Sequence, residues 1–332
     1  MTACKMARQQ IYDMFYGFRL DALVRSIRHA PAVLFYHGVA VDPDPIVETE
    51  SISVSDFSKQ IEYLEKYYKV ISIQEFEQRY CEDSWEGNEI LLTFDDGYKN
   101  VLHTALPILE KKCFPFVLFL TTNNVSEGEL FATTINRLVI LGSSIKKLDL
   151  ASCQIKSTLT KDNRQAVANA ISKILKSRPI SEVETIIQEL SSSISADEME
   201  NLRVKYSSVI PMNWGEAKQM SASPLCTVGS HGLDHICCHE NQSLQEVSSQ
   251  INQSRRIIED KIGVDCVYFS YPNGSYTTQS NKIVAEAGYH LGFSTKRLPV
   301  NSLTQWNIPR IFVPYDFSRF VYSLVTYPFC HV

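Results

Sequence analysis

The chain has 332 residues, enough for two average domains or one large α/β barrel, and 44% are hydrophobic against 21% charged. That is an ordinary globular balance, which argues against disorder. A net charge of −5 and a pI near 5.9 supply no basic field for a nucleic-acid backbone, so no nucleic-acid partner is expected.

Residues 1–30 hold no continuous apolar stretch of the secretory kind, and no run of 18 apolar residues occurs anywhere, so no membrane-spanning segment is expected. Nine irregularly spaced cysteines, an odd number, fit reduced thiols and a cytoplasmic location. Residues 5–29 read as an amphipathic helix with Ile11, Phe15 and Phe18 on one side and five Lys or Arg against two Asp. Such a helix either makes peripheral contact with an anionic membrane surface, here the inner membrane, or packs against its own domain.

Short apolar runs rich in Val, Ile, Leu and Phe follow at 32–36, 70–73, 90–94, 116–120, 227–229, 266–269, 290–293 and 311–313, the pattern of strands buried on both faces. Helix signatures lie between them. Ser55 is placed to cap a helix carrying Phe57, Ile61 and Leu64. Ser243 and Glu246 form a capping-box pattern ahead of Val247, Ile251 and Ile258, with Gly263 as the stop. Another helix spans 278–287, closed by Gly288. Repeated β-then-α order implies parallel strands with crossover helices, and seven or eight units favour a closed barrel over an open sheet.

Residues 130–206 break this rhythm with helical patterns and no convincing strand. Ala166, Val167, Ala170, Ile171, Ile174 and Leu175 form one apolar stripe, and Ser181 with Glu184 and Ser195 with Glu198 read as capping boxes. The stretch reads as a helical insertion in a βα loop, which either shapes access to a site at the barrel mouth or is a packing appendage. The resulting organisation is an N-terminal helix (1–30), a barrel (31–316, insertion at about 130–207) and a C-terminal tail (317–332).

Three segments carry chemistry. In Leu91-Leu92-Thr93-Phe94-Asp95-Asp96-Gly97-Tyr98 an apolar strand ends in two carboxylates and a glycine. At the C-terminal end of a barrel strand, adjacent acids project differently and can divide metal binding and proton transfer between them. An Asp-Gly turn is the plainer explanation. In Ser230-His231-Gly232-Leu233-Asp234-His235 two imidazoles four residues apart follow a short strand and can serve one cation. With Asp96 they make an O,N,N set with open positions, as catalytic zinc uses. A closed site of Cys237, Cys238 and His239 with one of these histidines is the structural alternative. In Phe269-Ser270-Tyr271-Pro272-Asn273-Gly274 a strand end runs into a turn that can aim a backbone N–H at an oxyanion, or can be an ordinary βα turn.

Taken in this order, TFDDG, SHxxxH and YPNG resemble the polysaccharide deacetylase superfamily (NodB homology, carbohydrate esterase family 4). Phe35-Tyr36-His37-Gly38-Val39 resembles a segment that opens many bacterial members. Asn213-Trp214-Gly215-Glu216-Ala217 resembles the helix before the SHxxxH strand. The resemblance implies a distorted (β/α)7 barrel, with the helical insertion in one βα loop, and metal-dependent removal of an N- or O-acyl group from a sugar. It assigns Asp95 as base, Asp96, His231 and His235 as metal ligands, and Asn273 as oxyanion donor through its backbone N–H, with Tyr271 and Pro272 beside the substrate. One divalent metal is expected, zinc first, with cobalt or nickel as alternatives.

Two departures stand out. Where many members carry Arg in the third motif, this chain has Ser270, and Arg310 is the cation available to hold Asp95 ionised. Where many carry a late Leu-x-x-His-Asp segment, the chain reads Ile311-Phe312-Val313-Pro314-Tyr315-Asp316. His37, after the first strand, is then expected in the pocket as acid or substrate contact, with Tyr315 as a substrate contact. The expected activity is deacetylation of an N-acylated sugar precursor of surface-glycan synthesis, lipid-linked or nucleotide-linked. A deformylase, a cyclic-amide hydrolase and a decayed glycan-binding protein are the alternatives on the same fold.

Overall fold

Strands and helices alternate along the chain as the apolar runs imply. The computed structural model describes residues 3–27, 31–296 and 304–326. In chain order the strands are β1 (Ala32–Tyr36), β2 (Gly38–Ala40), β3 (Ser51–Ser53), β4 (Lys69–Val70), β5 (Glu89–Phe94), β6 (Phe116–Leu120), β7 (Lys147–Leu150), β8 (Ile155–Thr158), β9 (Cys226–Ser230), β10 (Tyr268–Ser270), β11 (Leu291–Ser294), β12 (Ile308–Pro309) and β13 (Ile311–Phe312). The α-helices are α1 (Ala3–Gly17), α2 (Leu20–Ile27), α3 (Val54–Tyr67), α4 (Ile73–Glu82), α5 (Leu106–Lys111), α6 (Thr122–Glu127), α7 (Ala132–Arg137), α8 (Arg164–Leu175), α9 (Ile180–Ser191), α10 (Ala196–Lys205), α11 (Trp214–Ser221), α12 (Leu244–Ile262), α13 (Thr278–Glu286) and α14 (Phe317–Thr326).

The main sheet runs β12-β11-β10-β9-β6-β5-β1-β13, and β4 joins it beside β5. Its pairings are parallel. The two edges are consecutive in the chain. Ile308 and Pro309 lie beside Phe293 and Ser294, whereas Ile311 and Phe312 lie beside Leu34 and Phe35. One split stave thus faces both edges. Counted once, it completes seven, and the barrel is nearly closed with a single unsealed seam at Arg310.

Side chains alternate along each strand. Val33, Leu91, Val117, Phe119, Leu291 and Phe293 form an inner apolar cluster, against which Ile73 and Phe76 of α4 pack. The intervening Leu34, Leu92 and Leu118 join Phe57, Ile61 and Val247 of the helical layer. This period carries the next residues of the same faces, Asp95 and Arg310, toward the barrel axis at the mouth.

Several boundaries differ from the sequence reading. The run 70–73 is strand only through Val70, because Ser72 accepts from the Glu75 N–H and starts α4. Ser53, not Ser55, caps α3 by accepting from the Asp56 N–H at 3.1 Å. Ser181 does not cap α9, which begins one residue earlier after Pro179; the ring's fixed φ favours that start. Ser195 does cap α10. The insertion is not purely helical: β7 and β8 pair as an antiparallel hairpin, with Leu148 and Leu150 buried and Lys147 and Asp149 exposed, an alternation too short to stand out.

The N-terminal segment is two helices, broken at Arg19, whose φ is 56°. Tyr12 and Phe15 of α1 pack against the ring of Tyr322 of α14, tilted and edge-on respectively, and Tyr16 meets Phe317 edge-on. The first ten residues of the expected tail are therefore helix α14, and 327–332 lie outside the described residues. The other side of α1 leaves Ile11 and Met14 exposed, as is Phe18 just beyond its end.

Candidate metal centre

β5 delivers Asp95 on its inward period. The chain then turns through Asp96 and Gly97, with φ of 73° and 79°, so the second carboxylate swings round to the same mouth. Positive φ is tolerated better by Asp than by most residues, and freely by Gly. Asp95 and Asp96 are both buried.

β9 delivers the histidines. The His231 N–H donates to the Leu120 carbonyl. Its Nδ1 lies 2.7 Å from the Ser270 carbonyl, an acceptor only, so Nδ1 carries the proton and Nε2 presents a lone pair. The turn from His231 to His235 is pinned by buried Gln250 of α12. Its side-chain oxygen accepts from the Leu233 and Asp234 N–H groups, and its amide donates to Asp234 at 2.6 Å. Gln250 was not anticipated; a polar residue on the buried stripe of α12 was the available signal.

Asp96 Oδ1 lies 3.6 Å from His231 Nε2 and 3.3 Å from His235 Nε2, and one ligand atom from each residue falls within 4.8 Å of the others. That carboxylate oxygen is buried without a hydrogen-bond partner. Burial lowers the pKa of His231 to about 4 and of His235 to about 3, and raises that of Asp96. Neutral imidazoles beside an unsatisfied carboxylate oxygen suit a divalent cation, which would supply the missing partner. Among the described residues no other group of three such ligands assembles. Cys237 instead lies 3.3 Å from the Asn273 amide, so the closed cysteine site does not form there.

Arg310 grips Asp95 from the seam. Nη1 donates to Oδ1 at 2.7 Å and Nη2 to Oδ2 at 2.6 Å, while further bonds reach Thr93 Oγ1 and Ser270 Oγ. The guanidinium lies 4.7 Å from the Phe35 ring centre. Burial works to raise the Asp95 pKa, but Arg310 and His231 outweigh it and hold the carboxyl well below its usual range. Ser270 is small enough to leave room for this cation and hydrogen-bonds to it.

A cavity of about 330 Å³ opens over these groups. His37 lines it with Asp95 and Asp96, as does Asn273. Asn273 has φ 53°, and the bonds closing its turn run from the Gly274 and Ser275 N–H groups, leaving its own N–H unused. A Cβ on Gly274 would meet Thr295 Oγ1 at 2.0 Å, so the turn needs glycine there. Three expected contacts lie elsewhere. Tyr271 is fully buried between Phe269 and Tyr276, its hydroxyl bonded to Asn281, and Pro272 is buried outside the cavity lining. Tyr315 donates to the Thr49 carbonyl and lines a small neighbouring space. The remaining wall comes from residues the motifs did not flag: Glu50, which pairs with Arg137, and Arg137, Ser172 and Lys176, which come from or follow helices of the insertion.

A family model described as polysaccharide deacetylase matches residues 83–179 and 159–292, together more than half of the chain. No curated protein matches. Among solved structures, the Streptococcus pyogenes deacetylase PplD in complex with acetate shares 15% identity over 91% of this chain and 100% of its own, with a TM-score of 0.57. IcaB from Ammonifex degensii shares 20% over 90% of this chain and 97% of its own, at 0.56. A de-N-acetylase from Aggregatibacter actinomycetemcomitans shares 15% over 86% and 95%, at 0.51. At these identities the likeness is one of fold.

Two outcomes follow for this centre. Replacing His231 and His235 together with Ala removes bound metal while the barrel stays folded, because an open site is not what holds a core of this size; elemental analysis with circular dichroism checks both parts, and full metal content in the variant would sink the assignment. Arg310→Ala strands a buried carboxylate and costs about 3–5 kcal/mol in urea unfolding. Adding Asp95→Asn recovers part of that loss, since no charge is then left unpaired.

Proposed function

The chain belongs to the polysaccharide deacetylase family, and we propose that it hydrolyses an N-acyl group on a sugar precursor of surface-glycan synthesis. The observation that carries this reading is the buried, unpartnered Asp96 oxygen facing two neutral imidazoles beside an ionised Asp95. The cavity above them has room for a sugar ring. A fold neighbour is a deacetylase holding acetate, and acyl hydrolysis is extended here to this chain.

Asp96, His231 and His235 would hold a divalent ion, zinc by donor type, with cobalt and nickel as alternatives. When bound, such an ion polarises the acyl carbonyl and acidifies a water. Asp95, held charged and oriented by Arg310, accepts a proton from the attacking water. The Asn273 N–H stabilises the developing oxyanion. His37, which lines the same cavity, gives a proton to the departing amine. Polar wall residues Glu50 and Arg137 are placed to meet sugar hydroxyls.

The same reading puts the protein on the cytoplasmic side at a membrane surface. No helix among the described residues is long and apolar enough to cross a membrane. The exposed Ile11, Met14 and Phe18 lie in a segment, 5–29, with five basic and two acidic residues. That segment's net charge is +3, against −5 for the whole chain, and it suits an anionic bilayer.

Asp95→Asn and His37→Ala each retain metal and lose turnover of an N-acylated amino sugar by about 10²-fold or more, read as released carboxylate. Near-normal turnover by either variant removes that residue from the mechanism. Vesicles rich in anionic phosphatidylglycerol should co-sediment with the protein and phosphatidylcholine vesicles should not. Met14→Ser with Phe18→Ser should abolish the difference; equal recovery from both vesicle types would remove the membrane reading.

A further inference from the structure

Two cavities adjoin at His235, one of the three expected metal ligands. The first, of about 330 Å³, is polar where it faces Glu50, Arg137, Ser172 and Thr295. The second, of about 190 Å³, is walled by Leu130, Leu175, Ile180, Val183, Ile187 and Ile236. His235, Asn273 and Lys176 belong to both walls. Leu175, at the end of α8, and the three aliphatic residues of α9 come from the insertion.

The geometry points to the aliphatic cavity as the seat of the substrate's acyl chain, and to N-acyl groups longer than acetyl as the preferred leaving carboxylates. This rests on the hydrolase reading above. An amide has two arms, and its carbonyl must sit where a metal ligand and the unused Asn273 N–H converge, which is the junction of the two cavities. The sugar arm carries hydroxyls, which lose free energy when buried without partners; the polar cavity supplies partners. The alkyl arm gains free energy by leaving water, and the aliphatic cavity supplies the surface. An acetyl methyl reaches little of that wall. A chain of several carbons covers it.

The rim of the second cavity is compatible with this orientation. Glu127, Glu129 and Glu184 line the second cavity from exposed positions, and Lys176 lines it as well. With Lys176 they leave a polar rim of mixed charge around an apolar floor, which a neutral alkyl chain can occupy without burying a charge. Hydrolysis in this pose breaks the C–N bond. The water oxygen joins the acyl carbon, its proton reaches the amine, and the alkyl carboxylate departs from the second cavity.

Calorimetric titration of the zinc-supplemented protein with acetate, butyrate, hexanoate and octanoate tests the assignment. The expected result is a dissociation constant that falls about fourfold per added methylene until the cavity is full. Val183→Trp, with its indole in that space, should flatten the series; Ile180→Trp serves the same purpose if the first variant does not fold. A flat series in the unaltered protein, or one that Trp leaves unchanged, overturns the proposal. Turnover of N-acetyl, N-butyryl and N-hexanoyl glucosamine separates the two readings. Cleavage of the acetyl compound without gain for longer chains overturns the acyl-chain assignment alone. No cleavage of any member, with the length preference in binding intact, overturns the hydrolase reading alone.

Discussion

Arg310 and Asp95 meet inside the mouth of the barrel, both nearly sealed from water, in a two-point hydrogen-bonded pair. A buried ion pair of this kind contributes little net stability, because the cost of desolvating two charges offsets their attraction. Its consequence is positional. The planar guanidinium fixes both oxygens of Asp95, and its remaining bonds tie β5 to Ser270 of β10. The residue doing this lies at the seam, between the two halves of the split stave. The orientation of Asp95 is therefore set by a side chain that sits where the two edges of the barrel come together.

Beside that hydrogen-bonded pair lies a carboxylate left short of a partner. Asp96 has a buried oxygen with no partner, and burial keeps both facing imidazoles neutral. The contrast between adjacent carboxylates follows from environment alone: Arg310 holds Asp95 ionised, while burial raises the pKa of Asp96 in the absence of a cation. The two roles that the strand end allows, proton acceptor and metal ligand, are separated by these surroundings.

The insertion decides what surrounds the centre. It sends Arg137 back to Glu50 across the cavity and sets α9 against the loop after β9. An appendage that only packed on the barrel would leave the mouth open on this side. Here it contributes polar residues to one cavity and aliphatic residues to the other.

Local patterns determined much of this protein. Apolar runs bounded by caps and glycines reveal the alternating elements, and the family motifs mark Asp95, Asp96, His231, His235 and Asn273, all of which reach one cavity. The element pattern is set by contacts a few residues apart and by the two-residue period of a strand, so it survives in a single sequence, while the site residues are marked by the resemblance of their motifs. Tertiary structure alone decided the rest. Arg310 is legible in the sequence as the cation for Asp95, but its two-point geometry across 215 positions of chain is a tertiary result, and Glu50 meets Arg137 only when a long insertion folds over the mouth. Tyr271, one residue from the motif turn, goes to the core because its strand's alternation and its bond to Asn281 outweigh its proximity to the site. Which distant side chains share a cavity depends on loop closure and packing, and neither leaves a periodic trace in the sequence.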